Sequence, residues 1–259
     1  MTTAALRFPR ILAAEAKGEI LKIVRLPAYL IPTIVFPAMF YIIFGLSLNH
    51  GNLPGTNISV ATYMIATYGA FGVIGAGMFG LGVGVAVERA QGWLTLKRAS
   101  PMPPLAYFGG KVILCTLMGL LVTVLLGTLG VLFGDVNLSV GTWLKIAAVL
   151  ALGGVPFCVI GCAIAYMVGP NSAPAVVNLI YLPMSFASGL WVPIEMMPKL
   201  VKTIAPALPP YQLSRLALGV IGADKSSPWP HAAVLLGYMI VFMIIAVIAY
   251  RRDDGRTFG

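Results

Sequence analysis

Residues 88–111, ERAQGWLTLKRASPMPPLAYFGGK, decide how the sequence is organised. This stretch is a long charged interruption between two apolar segments. Because Pro101, Pro103 and Pro104 cannot continue a helix, the pattern predicts a short amphipathic helix over 90–99 followed by a proline stop. It is the largest internal element that could face water. We therefore expect this loop to receive a signal or energy from outside the chain.

The composition indicates an integral membrane protein. Of the 259 residues, 59% are hydrophobic and 10% are charged, whereas a soluble domain is about 25% charged. The net charge of +9 collects at the ends of the apolar segments. Membrane orientation accounts for basic residues in those places, so the charge does not indicate nucleic-acid binding.

Four charge-free runs hold the expected membrane spans: 26–87, 112–134, 146–194 and 226–250. One span needs about 20 apolar residues. The first and third runs are long enough for two spans each, and each has a turn signal near its middle. The prediction is an all-α polytopic fold with six transmembrane helices, near 28–48, 61–87, 110–132, 143–168, 174–192 and 230–250.

Lys and Arg predict the orientation of these spans. The N-terminal segment, the 88–111 loop and the tail together hold most of the basic residues. The positive-inside rule then places both termini and the 88–111 loop in the cytoplasm, and the chain in the cytoplasmic (inner) membrane. The first apolar stretch is too long and begins too late for a cleavable signal peptide.

Two segments outside the spans are also predicted to be helical. Residues 1–26 are predicted to form a cytoplasmic amphipathic interface segment, whose helix runs over 6–25 with Pro9 in its first turn; whether it is a simple anchor or also contacts a partner stays open. Residues 193–229 are punctuated by prolines and predict short outer re-entrant helices between spans 5 and 6. Residues 27–259 would then be one six-helix membrane domain. The apolar face of the N-terminal helix is formed by Phe8, Leu12, Ala16, Ile20, Val24 and the neighbouring Ile23.

A stripe of small residues, Gly72, Ala76, Gly80 and Gly84, recurs at spacing four in span 2. It predicts close packing against another helix, within the chain or in a second copy. The three cysteines fall within spans and are interpreted as packing residues. No metal site is predicted.

Several kinds of chemistry have no support in the sequence. Ion-coupled carriers usually keep titratable groups inside the membrane, and none is expected within these spans. Gly109-Gly110-Lys111 is followed by Val112, so it is not a phosphate-binding loop. Ser47 and His50 lie at a span mouth without a supporting third group. The chain is predicted not to be an enzyme, and it needs an energising partner.

The chain resembles the membrane subunit of type-2 ABC exporters. The resemblance rests on Glu88-Arg89, Gly92 and Leu94 in the charged loop, and on the run 188–195, SGLWVPIE, with Pro198 and 209–211, PPY. Trp93 and Gln91 depart from the family pattern. By resemblance the loop contains a coupling helix that docks on an ATPase subunit. The coupling residues would be Glu88, Arg89, Gly92, Trp93, Leu94, Leu96, Lys97 and Arg98.

The same resemblance implies two copies of this chain with two ATPase subunits, which bind ATP and Mg²⁺; this chain itself would bind no cofactor. Membrane lipids are the other expected partner. The outer gate would comprise Trp191, Pro193 and Glu195. A substrate pathway at the dimer interface, between spans 1, 2 and 5, would comprise Phe36, Met39, Phe40, Tyr63, Tyr68, Phe71, Tyr181, Met184 and Phe186.

Such a pathway suits a hydrophobic drug-like molecule or a lipid, as in multidrug efflux. A glycan or polysaccharide exporter is the first alternative, because aromatic faces also stack on sugars. A membrane scaffold or sensor regulated through the 88–111 loop is the alternative outside transport.

Overall fold

The computed structural model describes residues 2–25, 27–47, 51–53, 56–99 and 102–252. Nearly all of them are helical, and Asn52 and Ser59 form an isolated antiparallel bridge. The all-α class expected from the sequence is confirmed for this part of the chain.

Twelve α-helices follow one another in the described ranges. A π-helical segment, Tyr41–Ser47, prolongs α2, and a second one, Met78–Val83, joins α3 to α4. Short 3₁₀ turns occupy Ile194–Met196 and Ala205–Ala207. The helices are α1 Thr2–Val24, α2 Pro27–Phe40, α3 Val60–Gly77, α4 Gly84–Ala90, α5 Trp93–Ala99, α6 Pro104–Phe133, α7 Val140–Gly153, α8 Val155–Met167, α9 Ala173–Ala187, α10 Lys199–Ile204, α11 Pro209–Val220 and α12 Pro228–Arg252.

Four continuous helices of the described chain are long and apolar enough to cross a membrane. The other two predicted spans correspond to shorter apolar helices, Thr33–Ser47 and Ala173–Ala187. The count of six spans therefore stays a prediction. The four long helices are Val60–Ala90, Pro104–Phe133, Val140–Met167 and Pro228–Arg252.

Some boundaries expected from the sequence were wrong. The third apolar helix begins at Pro104 rather than near 110, because its charged residue Lys111 is paired inside the chain and need not mark a helix end. The fifth apolar helix ends at Ala187 rather than near 192. Gly189, two residues later, adopts a left-handed φ of 74°, which does not continue a right-handed helix. The N-terminal helix starts at Thr2, so Pro9 lies within it rather than in its first turn.

Helix α3 lies at the centre of the fold. Every residue from Ala61 to Gly77 is buried, which is possible because small residues alternate with large ones along it. Helix α6 packs closely on one side of it, and α11, α2 and α8 cover other sides. Helix α12 lies at the periphery against α8 and α11, and most of its apolar side chains are exposed. These exposed side chains form a surface suited to lipid.

The backbone of the π-helical segment Met78–Val83 packs directly against the backbone of α8 at Gly161. A Cβ atom added to Gly161 would lie 2.9 Å from the Met78 carbonyl oxygen and 3.0 Å from the Gly82 nitrogen. Both neighbours are backbone atoms, so they cannot rotate away. Only glycine fits at this crossing, and its hydrogen side chain lets the two helices touch. The three cysteines are buried and free, and they lie in the same packed region.

Gly161→Ala is expected to lower the free energy of unfolding by about 1–3 kcal/mol, the usual cost of overpacking a well-filled core. Gly84→Ala is the matched control, because a Cβ at Gly84 meets no atom within 4 Å. It should be neutral, or stabilising by up to about 1 kcal/mol, because alanine favours the helix. Thermal unfolding of both variants in one detergent measures the difference. Equal midpoints for the two would contradict the proposed crossing.

Candidate functional site at the charged end of the helix bundle

Glu88, in the last turn of α4, is the centre of a buried charged cluster. Its Oε1 accepts a hydrogen bond from Lys111 Nζ at 2.9 Å, and it is also paired with Lys22. Its Oε2 accepts a hydrogen bond of 2.6 Å from the Tyr107 hydroxyl. One carboxylate thus joins α4 to both α1 and α6. Sequence reasoning placed Glu88 at a span end facing the partner, yet it is 6% exposed.

Lys111 joins the same helices from the α6 side. Its Nζ donates to both carboxylate oxygens of Glu19, each at 3.0 Å, as well as to Glu88. Lys111 is 2% exposed, although it carries a charge. Two carboxylates face two ammonium groups, so the cluster of Glu19, Lys22, Glu88, Tyr107 and Lys111 has no formal net charge. Such a pairing makes burial of the charges tolerable.

Arg89 fastens α4 to a fourth helix. Its Nη1 donates to the Ala165 carbonyl at 2.7 Å, and its Nη2 donates to the Val168 carbonyl at 3.1 Å. The guanidinium also lies 5.6 Å from the centre of the Tyr166 ring. The last carbonyl groups of a helix lack partners within it, and a cation there is favourable. Arg89 therefore caps the end of α8.

Helix α1 lies directly on α6 because two glycines leave room for it. A Cβ on Gly109 would come within 2.9 Å of Leu12, and one on Gly110 within 3.2 Å of the Ala16 nitrogen. Gly109 and Gly110, which resemble a fragment of a phosphate-binding loop, thus serve helix packing. Glu15 of α1 pairs in turn with Lys97 of α5, whose Nζ lies 4.5 Å from the Tyr107 ring centre.

The short helix α5 is the part of this region that projects outward. Gly92, with a φ of 76°, makes the turn from α4 into α5, a conformation that glycine adopts at helix C-termini. Leu94 is buried against the bundle, whereas Trp93 is 54% and Leu96 is 68% exposed. Two large apolar side chains on a short exposed helix form a surface suited to a protein partner. The Arg98 side chain lies outside the described part of the structure.

A cavity of about 420 Å³ opens between α2, α3 and α9. Phe40 stacks on Trp191 with ring centres 5.4 Å apart, and Phe71 stacks on Tyr181 at 4.8 Å. The Tyr181 hydroxyl donates to the Phe71 carbonyl at 2.8 Å, so its polar end is satisfied within the chain. No charged residue is among the described lining residues, which are Thr33, Phe36, Pro37, Phe40, Phe71, Gly72, Gly75, Phe79, Asn178, Tyr181, Leu182 and Trp191.

Comparison with known proteins identifies the family of this chain. Residues 12–221 match the family described as ABC-2 type transporter. The chain belongs to the ABC-2 type transporter family. It is also similar to the Bacillus subtilis (strain 168) protein "Putative transport permease YvfS", with 25% identity over 244 residues that cover 94% of this chain and 98% of that protein.

Membership has direct consequences for the chain. It is a multi-pass membrane protein and the transport subunit of an ABC transporter, and it works with an ABC ATPase. The matched residues run from α1 to the end of α11. They include the charged cluster, α5 and the aromatic cavity.

Five of the eight coupling residues predicted from the sequence divide into two groups by burial. Glu88, Arg89 and Leu94 are buried and hold helices together, whereas Trp93 and Leu96 are exposed. The roles of all of them in coupling stay predictions. The sequence reasoning missed Glu19, Lys22, Tyr107 and Lys111 as members of this site. A usable signal was the spacing of Glu15, Glu19 and Lys22, which puts ionic groups on one side of α1 next to its apolar face.

The nine predicted pathway residues are only partly brought together. Phe36, Phe40, Phe71 and Tyr181 line the cavity. Tyr63 and Tyr68 are buried, and the Tyr68 hydroxyl donates to the Trp191 carbonyl at 3.1 Å behind the cavity. Met184 is half-buried in the core, and Met39 and Phe186 are exposed on the surface.

The stripe of small residues in span 2 serves packing within the chain over its first half. A Cβ at Gly72 would come within 2.6 Å of Val122 in α6, and Ala76 is fully buried. Gly80 and Gly84, farther along, are half-exposed. Contact of this second half with another copy stays a prediction.

The predicted outer gate is built around ion pairs and aromatic contacts. Trp191 lines the cavity, and Pro193 is buried beside it. Glu195 pairs with Arg215 at 3.3 Å, and Arg215 pairs with Asp224 at 3.6 Å. This network ties the 3₁₀ turn after α9 to α11 and to the loop beyond it. A gating role for these residues stays a prediction.

Proposed function

We propose that this chain is the permease subunit of an exporter that moves a hydrophobic drug-like or lipid molecule outward across the cytoplasmic membrane. A separate ATPase subunit would supply the energy. In this proposal the chain has six spans, both termini face the cytoplasm, and two copies pair with two ATPase subunits. The observation that carries it is α5, a short amphipathic helix that exposes Trp93 and Leu96 and is joined to a buried charged cluster of three other helices.

The charged cluster supports a specific coupling route. A force applied to Trp93 and Leu96 would pass through Gly92 to α4, because α5 follows α4 after a two-residue turn. Glu88 then links α4 to α1 and α6, and Arg89 links it to α8. In this proposal Glu88 and Arg89 position the coupling helix from inside the chain and do not touch the ATPase. The four helices would move together when the ATPase pair closes.

The aromatic cavity supports a hydrophobic substrate over a glycan. Its lining is aromatic and aliphatic, with Thr33 and Asn178 as the polar side chains apart from Tyr181 and Trp191. Of these, Tyr181 already uses its hydroxyl within the chain. A glycan carries many hydroxyl groups, and each would lose its bonds to water here. A ring system of moderate size would instead stack on Phe40, Phe71 or Trp191.

Leu182→Trp is expected to fill the cavity and reduce export of a lipophilic fluorescent dye by about tenfold, because one occluded subsite removes more than 1.4 kcal/mol of binding. The assay uses vesicles that contain the chain and its ATPase. Ile180→Trp is the matched control, since Leu182 is 38% exposed and Ile180 is 37% exposed on the same helix, but only Leu182 lines the cavity. Equal transport by the two variants would show that the cavity is not part of the substrate pathway.

A further inference from the structure

Helix α1 has two faces of different chemistry. Its inner face carries Glu15, Ala16, Glu19 and Ile23, which turn toward the rest of the chain. Both carboxylates on this face are already paired, Glu15 with Lys97 of α5 and Glu19 with Lys111 of α6. The acidic groups of this helix are therefore used up inside the fold.

The outer face of α1 is basic and apolar. Arg10, Ala14, Lys17, Leu21 and Val24 follow one another at spacings of four and three, which places them on one side of the helix. All five are exposed, Leu21 at 44% and Val24 at 63%. Arg25, which is also exposed, follows Val24 directly. The face contains no acid, and its three basic side chains have no ion pair among the described residues.

We infer that this outer face binds the anionic phospholipid headgroups of the leaflet on which α1 lies. Val24 stands three positions before Pro27, where the apolar helix α2 begins, so this end of α1 lies next to the membrane entry. A helix with basic and apolar side chains on one face is suited to the boundary between headgroups and acyl chains. Arg10, Lys17 and Arg25 supply the charge, and Leu21 and Val24 supply the apolar contact.

This lipid contact lies beyond the coupling proposal and does not depend on it, because the lipids would bind without ATPase or transported substrate. Its effect would nevertheless reach the charged cluster. The inner face of α1 holds α5 and α6 through Glu15 and Glu19. A change in the depth of α1 at the membrane surface would move those attachments.

The depth of α1 is the quantity to measure. A spin label on Ala14→Cys, in the full chain, is compared in vesicles of phosphatidylcholine alone and of phosphatidylcholine with phosphatidylglycerol. We expect the label to lie deeper, less accessible to a water-soluble relaxing agent, when phosphatidylglycerol is present. The combined variant Arg10→Gln, Lys17→Gln, Arg25→Gln should abolish this difference and reduce phosphatidylglycerol retained on purification at least tenfold, since each basic residue contributes about fivefold.

The control for total charge removes three other exposed lysines, by Lys145→Gln, Lys199→Gln and Lys225→Gln. It should keep both the depth change and the retained phosphatidylglycerol. The inference is overturned if label depth is the same in the two lipid mixtures, or if the two triple variants behave alike. It is also overturned if the label becomes shielded only when the ATPase is added, because the face would then belong to a protein partner.

Discussion

Lys111→Met is expected to lower the free energy of unfolding by about 3–5 kcal/mol, the cost of removing one partner from a buried ionic group. The side chain is 2% exposed and stands between Glu19 and Glu88. Its loss would leave two carboxylates facing each other with Lys22 as the remaining cation of the cluster. Thermal unfolding in a mild detergent measures the effect. Lys145→Met, on the exposed side of α7, is the control and should have little effect.

A second substitution separates lost charge balance from lost packing. Glu19→Gln combined with Lys111→Met removes one of the two opposed carboxylates, so it should recover part of the stability that Lys111→Met alone loses. The double-mutant cycle should give a coupling of about 1–3 kcal/mol between the two positions. If the two losses simply add, or if Lys111→Met matches its exposed control, the cluster does not hold the helices as we describe.

Trp93→Ala is expected to weaken binding of the ATPase subunit roughly 30-fold, because truncating a central interface tryptophan commonly costs at least about 2 kcal/mol. The side chain is 54% exposed, so thermal stability of the chain alone should be unchanged. Titration of the ATPase onto the chain in lipid nanodiscs gives both the affinity and the stimulated rate of hydrolysis. This result would distinguish the exposed group of coupling residues from the buried one.

The control is Trp229→Ala at the start of α12, which is 78% exposed and outside the coupling region. It should leave ATPase affinity unaffected. If Trp93→Ala and Trp229→Ala bind the ATPase equally well, α5 is not the docking helix. If Trp93→Ala instead lowers the unfolding temperature, its side chain has a packing role that its exposure does not indicate.

The order and type of the helices could be predicted from the sequence because apolar length, prolines and glycines are local signals. Residues 90–99 were predicted as a short helix, and α5 spans Trp93–Ala99. The outer segment 193–229 was predicted as short helices, and it contains α10 and α11. The 88–111 loop, the outer run 188–195 and the order of the apolar segments together predicted the family, which the family match over 12–221 confirms.

What the sequence could not supply depends on contacts between distant residues. The sequence pattern makes Lys111 the boundary of a span, because a charge near a membrane helix usually marks its end; its partners Glu19 and Glu88 make its burial tolerable. The same contacts bury Glu88, which joins α4 to α1 and α6. The π-helical segment Met78–Val83 was also missed, and its close contact with Gly161 of α8 is one that a local sequence pattern does not show.

Four of the nine predicted pathway residues line the cavity. The others do not, because the rotation of each helix is set by contacts between distant residues. Phe36 and Met39 are both large, apolar and exposed residues of α2, yet of the two only Phe36 lines the cavity. Composition alone does not separate them, because the rotation of α2 about its own axis is set by what it packs against. A cavity between three helices is defined only when those rotations are known.

In the proposed function, energy reaches this chain from a separate ATPase through α5. The direct measurement is ATP-dependent dye export in vesicles that contain the chain with its ATPase, compared with vesicles in which the chain carries Trp93→Ala and Leu96→Asp. We predict export with the unaltered pair, and at least tenfold less with the altered chain at equal protein content. Undiminished export by the altered chain, or export without any ATPase, would contradict the account.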